Sequence, residues 1–288
     1  MSAIRLVTDT TVNMSDDLAK KYQLTVVPVY VVIGDKSYKD YVEMPPEKFY
    51  ATLAEIKARG GEMPKTSQPS PLDFQNAYTQ LADAGAKDII SLHVSAKASG
   101  TFNSATIAKD TLAARVRVHV VDSATTSMQM GYMLIEAHKA IQSGASADQA
   151  HAVIEKVKAN STLYFTVTEV EHLEASGRTV GSDKVTDAEV KIKPVVGLID
   201  GRPQVVSPER TQSAAISKVI EITKEKHAGK TFKGITVVHG NALDRAQALK
   251  ARISSEMGYK GEVMITDFGP ALAVHFGPGL LGLAAYSE

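Results

Sequence analysis

The sequence predicts an α/β protein in two parts: an N-terminal three-layer α/β/α domain with a mostly parallel sheet over residues 1–158, and a C-terminal α+β domain with a largely antiparallel or mixed sheet over residues 159–288. Three observations predict this. Through the first half, short apolar runs alternate with helical patterns and leave through polar loops, as in a parallel sheet covered on both faces. After Ala159-Asn160-Ser161 that alternation gives way to a hairpin signal about Asp200-Gly201. A chain of 288 residues is also long enough to bury two cores, although that length alone equally fits one large α/β domain.

Taken in order, Ile4 to Val7 reads as a strand ending in Thr8-Asp9-Thr10-Thr11, and Ser15 caps a helix with Asp16 and Asp17 in its first turn. Thr25 to Ile33 reads as one strand, with Pro28 marking an edge or an irregularity. Residues 46–58 form a helix that stops at Gly60-Gly61. Lys65 to Pro71 is a rigid hydroxyl-rich loop feeding a helix: Ser70 is the cap, Pro71 suits the first helical position, and Asp73 complements the free N–H groups. Those groups, beside Thr66 and Ser67, suit an anion. Phe74, Ala77, Tyr78 and Leu81 share one helical face, and Gly85 ends the helix. Strand 88–94, loop 95–101, helix 102–114, strand 117–121, loop 122–127 and helix 128–142 repeat the pattern. Because the loops at the carboxyl ends of parallel strands share one edge, loops 8–11, 95–101 and 122–127 fall together, where ligands bind such sheets. Ser146 and Gln149 then open a helix reaching about Lys158.

The second half reads as strand 162–168, a short helix 169–175 ended by Gly177, a polar loop 178–187, and a hairpin of Val190 to Ile199 with Gln204 to Val206. A helix from Gln212 to about Lys226, strand 234–238, helix 242–257, strand 262–267 and an apolar C-terminus follow.

Composition narrows the function. Lys+Arg 32 balance Asp+Glu 32, so no basic surface points to nucleic acid or to a strongly anionic partner. The absence of cysteine removes disulfides, thiolate metal sites and a cysteine nucleophile. The first residues form a strand rather than a signal or transit peptide, and no apolar run approaches the roughly 18 residues of a membrane span; a cytoplasmic location is expected.

Gly277-Pro278-Gly279-Leu280-Leu281-Gly282 matches a dinucleotide fingerprint formally, but no βαβ unit can follow it, and it reads as a turn into a final strand. Gly229-Lys230-Thr231 lacks the earlier glycine of a phosphate loop. The eight histidines show no paired-ligand spacing, so no metal is expected. No G-x-S-x-G elbow is present, although a serine triad does not require one. Asp9 and Asp122, each ending a strand, suit either magnesium-assisted phosphoryl transfer or the more ordinary capping of a loop. Arg178, Arg210 and His239 sit in polar loops or at a strand end. Met128, Met130 and Met133 suit core filling or an adaptable cavity.

Together, Thr8-Asp9, Thr66-Ser67-Gln68-Pro69-Ser70-Pro71, Ser99-Gly100-Thr101-Phe102, Asp122-Ser123, Gly177-Arg178, Lys191-Ile192-Lys193-Pro194, Arg210-Thr211 and His275-Phe276-Gly277-Pro278-Gly279 resemble the DegV family of bacterial fatty-acid-binding proteins, the lipid-carrying subunit of a fatty acid kinase system. The resemblance runs from Thr8 to the C-terminus, with departures at Thr10, Ser176, Ala96 and Ala98. It implies one long-chain fatty acid held between the domains, with its carboxylate on Thr66 and Ser99 and with Ser67 and His275 nearby. It implies further that Arg178 and Arg210 flank the mouth and engage the kinase, which makes the acyl phosphate. On this reading the chain is a monomeric, non-catalytic carrier with transient membrane contact. It takes no cofactor beyond the bound acid and no nucleic acid.

The physics is compatible. Burying a methylene contributes about 0.8 kcal/mol, so a tail of some 15 carbons offers on the order of 10 kcal/mol before ordering and association costs. The hydroxyls then orient a carboxylate that burial would otherwise penalise. Two rival readings stand beside this one: a magnesium-dependent small-molecule phosphotransferase using Asp9 or Asp122, and a regulatory module binding a small anion.

Overall fold

The computed structural model describes residues 3–181 and 192–288. Most of the expected loop 178–187 and the start of the expected strand at Val190 and Lys191 lie outside the described residues. The first half runs β1 (Ile4–Asp9), a 3₁₀ turn (Thr10–Val12), α1 (Asp16–Lys21), β2 (Leu24–Val27), β3 (Tyr30–Ile33), β4 (Lys36–Lys39), α2 (Pro46–Ala58), β5 (Lys65–Ser67), α3 (Pro71–Asp83), β6 (Asp88–His93), α4 (Thr101–Thr111), β7 (Arg117–Asp122), α5 (Ser127–Gln142) and α6 (Ala147–Ala159). The second runs β8 (Ser161–Thr166), α7 (Glu171–Ser176), β9 (Lys193–Ile199), β10 (Arg202–Glu209), α8 (Gln212–Lys226), β11 (Phe232–His239), α9 (Leu243–Met257), β12 (Val263–Asp267), α10 (Gly269–Phe276) and β13 (Leu281–Ser287).

The first sheet has the order β2-β1-β6-β7 with every pairing parallel. Alternation along its strands decides its two faces: Val7 and Ile89 pack with Phe74, Tyr78, Ala105 and Ala108 of α3 and α4, whereas Leu6, Ile90 and Leu92 pack with α5. The second sheet, β10-β9-β8-β13-β11-β12, is mixed, antiparallel except between β11 and β12. Its strands alternate likewise: Leu163 and Phe165 face the core shared with α5, while Tyr164, Ile235, Val237 and Leu283 face α8 and α9. The two domains therefore share one core. Met128, Met130 and Met133 of α5 are buried in it between the two sheets, as core filling requires.

Two local expectations fail, both for the same reason. Thr25 to Ile33 is not one strand: Pro28 offers no N–H to a ladder, so β2 ends at Val27 in the parallel sheet and β3 starts a separate three-stranded sheet, β4-β3-β5. Lys65 to Ser67 is accordingly not a loop but the third strand of that sheet, with Thr66 opposite Val31. This small sheet and α2 form a flap. Val29, Val31, Phe49, Tyr50 and Leu53 of the flap region cluster with Ala271, Ala273 and Val274 of α10. The other side of α10, Leu272 and Phe276, enters the central core. All eight residues of α10 are buried, and His275 is the only one with a polar side chain.

Candidate functional site

Three segments remote in sequence converge on a cavity of about 250 Å³. The flap supplies Thr66, Ser67 and Gln68; the loops leaving β1, β6 and β7 supply Thr11, Ser95, Ser99, Thr125 and Thr126; α10 supplies Ala271, Leu272, His275 and Phe276. Leu198 and Pro203 of the β9–β10 hairpin and Arg178, just after α7, complete the wall. The cavity thus lies at the carboxyl-end loop edge of the parallel sheet, where its topology predicts one. Of the residues singled out in the sequence, Thr66, Ser67, Ser99, His275 and Arg178 come together here. Arg210 does not: it follows β10 at the end opposite Pro203 and is exposed.

Close approach is built into the loops. A Cβ on Gly100 would stand 2.9 Å from Gln68 Nε2, so glycine there lets the loop after β6 close on the flap. Gly201, at φ +79° in the hairpin turn, accepts the Ser95 hydroxyl on its carbonyl at 2.6 Å and joins the two domains beside the cavity.

The polar side chains of the wall have a defined hydrogen-bond order. His275 Nε2 lies 2.8 Å from Thr66 Oγ1, and Arg178 Nη1 lies 3.4 Å from His275 Nδ1. Arg178 is aimed by two carbonyls: Nε donates to Ala98 O at 3.0 Å and Nη1 to Ser176 O at 3.2 Å. Burial, then the nearby Arg178 and His172, push His275 down to about 3, so its imidazole is neutral near neutral pH. Ser99 Oγ accepts the Thr101 N–H at 3.3 Å at the start of α4, whose N-cap, Gly100, contributes no side-chain bond. The start of α3 is closed instead by its own capping box, in which Ser70 and Asp73 bond reciprocally. The starts of α4 and α5, whose N-cap residues Gly100 and Thr126 give no side-chain bond, lack such a box. Among the described residues lining the cavity, Arg178 alone carries a formal charge.

The two candidate aspartates serve the loops. Asp9 accepts the Thr11 N–H at 3.1 Å, the Thr11 hydroxyl at 2.5 Å and the Val94 N–H at 3.1 Å. Asp122 Oδ1 accepts the Ala96 and Ala124 N–H groups at 3.0 and 2.9 Å. Asp9 also ends a chain that has the connectivity of a serine triad: Tyr78 OH to Ser91 Oγ at 2.7 Å, Ser91 to His93 Nε2 at 2.6 Å, and His93 Nδ1 to Asp9 Oδ2 at 3.0 Å. Asp9, Ser91 and His93 are fully buried, and none of them lines the cavity. The chain therefore holds the loop edge from beneath and offers no accessible nucleophile.

The fold defines a two-domain α/β protein with a cavity lined by residues of both halves. The chain belongs to the DegV family, whose model, described as "Uncharacterised protein, DegV family", matches residues 3–288. It is 32% identical over its whole length to a DegV domain-containing protein of Halalkalibacterium halodurans, all of which is covered. Among solved structures, the fold is similar to that of a DegV family protein from Thermus thermophilus described for its fatty acid binding, with TM-score 0.89, 30% identity and full coverage of both chains. It is also similar to DegV of Bacillus subtilis, described as a fatty acid binding protein, with TM-score 0.86, 26% identity and full coverage of both chains.

The residues that sequence reasoning did not single out are Ser95, Thr125 and Thr126, which sit in loops it had placed at this edge, and the apolar wall from α10 and the hairpin. The Gly269-Pro270 step was the available signal for α10, since proline suits a helix start.

Proposed function

We propose that the chain binds one long-chain fatty acid and presents it to a separate kinase that forms the acyl phosphate, itself performing no phosphoryl transfer. The carboxylate sits among Thr66, Ser67, Ser99 and His275, and the tail runs into the apolar side of the cavity. Residues 1–158 carry the hydroxyl loops and residues 159–288 close over them. The observation that carries this reading is the mixed composition of the cavity wall: neutral hydroxyls, an amide, a neutral imidazole and one guanidinium beside the apolar Val29, Val94, Leu198, Leu272 and Phe276. Such a wall suits a ligand with one anionic head and an apolar body, because each half finds its own kind of partner. The fatty-acid binding described for the Thermus thermophilus and Bacillus subtilis proteins supports the same ligand class.

Neutral donors hold a carboxylate without occupying both its oxygens, as a bidentate arginine would, and so leave an oxygen to attack a phosphoryl donor. Arg178, at the mouth, is the residue placed to meet the kinase near the headgroup, and Arg210 is assigned to a more distant part of the same contact. Organic extraction of the purified protein followed by mass spectrometry tests the ligand. Stoichiometric fatty acid, restored after delipidation by a saturating long-chain acid, is the expected result. A delipidated protein with no saturable affinity for such acids, yet with magnesium-dependent nucleotide hydrolysis, would establish the phosphotransferase instead.

A further inference from the structure

We infer that Arg178 is a positioning residue: it fixes the tautomer of His275 so that Thr66 offers the ligand a hydrogen-bond donor. The inference rests on the fatty-acid reading for its consequence, but its first step concerns the protein alone. A guanidinium has donors and no acceptor, so the Arg178 Nη1 contact at 3.4 Å requires a lone pair on His275 Nδ1. A neutral imidazole then carries its single proton on Nε2, which lies 2.8 Å from Thr66 Oγ1. Nε2–H donates, the threonine oxygen accepts, and the threonine's own proton is left for the cavity that Thr66 lines.

The opposite tautomer reverses every step. Nδ1–H would face the guanidinium donor to donor, Nε2 would take the threonine proton, and Thr66 would turn lone pairs toward a bound carboxylate. Arg178 excludes this arrangement because its aim is itself fixed: it spans Ala98 O in one domain and Ser176 O in the other. A side chain at the mouth thereby sets the polarity of a hydroxyl it does not touch. His172 supports the geometry from behind, since its ring lies 3.1 Å from the carbonyl of Val274, the residue before His275.

The test has two independent parts. In the unloaded protein, ¹⁵N spectra of labelled imidazoles, assigned by comparison with His275→Gln, should show His275 protonated on Nε2, and Arg178→Leu should shift it toward protonation on Nδ1. An unchanged tautomer in Arg178→Leu, or Nδ1 protonation in the parent protein, overturns the inference. The second part compares affinity for a long-chain acid with that for the corresponding primary alcohol, a ratio in which the tail cancels. Loss of one hydrogen bond to the carboxylate should lower this preference about tenfold in Arg178→Leu, with Arg178→Lys partly restoring it. In a His275→Gln background, where an amide donor replaces Nε2–H and Nδ1 is gone, Arg178→Leu should add nothing. An equal loss in both backgrounds would show direct action of the arginine charge and refute a role through His275. If the parent protein binds neither acid nor alcohol, the fatty-acid reading fails, while the imidazole spectra still judge the tautomer.

Discussion

Asp40 makes the attachment of the flap to α10 measurable. It is 1% exposed and accepts the Ala271 N–H at 3.2 Å, in the first turn of the helix that carries His275. Burial raises its carboxyl from 3.8 to about 7, with the Asp9 charge adding to the rise and bonds from Thr10, Ala271 and Tyr41 opposing it. Because the folded value exceeds the unfolded one, this contribution to stability is full below 3.8, falls as pH rises, and levels off above about 7. At about 1.4 kcal/mol per pH unit, ionising Asp40 within the fold costs about 4 kcal/mol in total. The histidines act in the opposite sense: burial lowers His275 to about 3 and His227 to about 4, so their contributions are lost as pH falls below 6.5. Asp40→Asn keeps the shape and removes only the carboxyl titration, so the difference between variant and parent isolates this group. Urea unfolding at about pH 5 and about pH 8 should show that difference moving in favour of the variant by about 3 kcal/mol across the interval. Parallel pH profiles would refute the assignment of a neutral Asp40 at the flap junction.

Two further substitutions probe the frame of the site. Gly201→Ala places a Cβ 2.7 Å from Ser95 Oγ at a φ of +79°, and should lower stability by about 1–3 kcal/mol, read as a fall in thermal midpoint; an unchanged midpoint would remove the hairpin turn from the junction. Ser91→Ala leaves the Tyr78 hydroxyl and the His93 ring nitrogen buried without their shared partner, and should destabilise by about 1–3 kcal/mol in urea unfolding. Unaltered stability in that variant would show that the buried chain does not support the loop edge.

What was legible in the sequence is what local chemistry decides. Ser70 with Asp73 and Ser146 with Gln149 form the capping boxes their spacing announces. Asp200 and Gly201 take φ +48° and +79°, as a two-residue hairpin turn requires. The hydroxyl loops fall at one sheet edge because alternating strands and helices leave a parallel sheet no other arrangement. What was not legible depends on distant partners. A three-residue strand such as β5 has no period of its own, and only pairing with β3 turns Thr66 into a strand residue. Buried on every side, α10 lacks the polar stripe that reveals a helix, so the sequence leading to His275 reads only as part of an apolar C-terminus. The resemblance grouped Arg210 with Arg178, but the full length of β10 separates Arg210 from the hairpin end that lines the cavity.

The dependence of the site on distant docking has a chemical consequence. Thr66 and His275 are 209 positions apart and meet only because α10 is packed into the flap. A neutral imidazole buried in a helix that is otherwise apolar is tolerated when both ring nitrogens have partners, and here each comes from a different part of the chain: Thr66 from the flap, Arg178 from the loop after α7. Undocking the flap removes the Nε2 partner; withdrawing Arg178 removes the Nδ1 partner. Either motion leaves a buried ring nitrogen unpaired, so the hydrogen-bond order at the proposed headgroup site also favours the docked arrangement of flap and Arg178 in the protein alone.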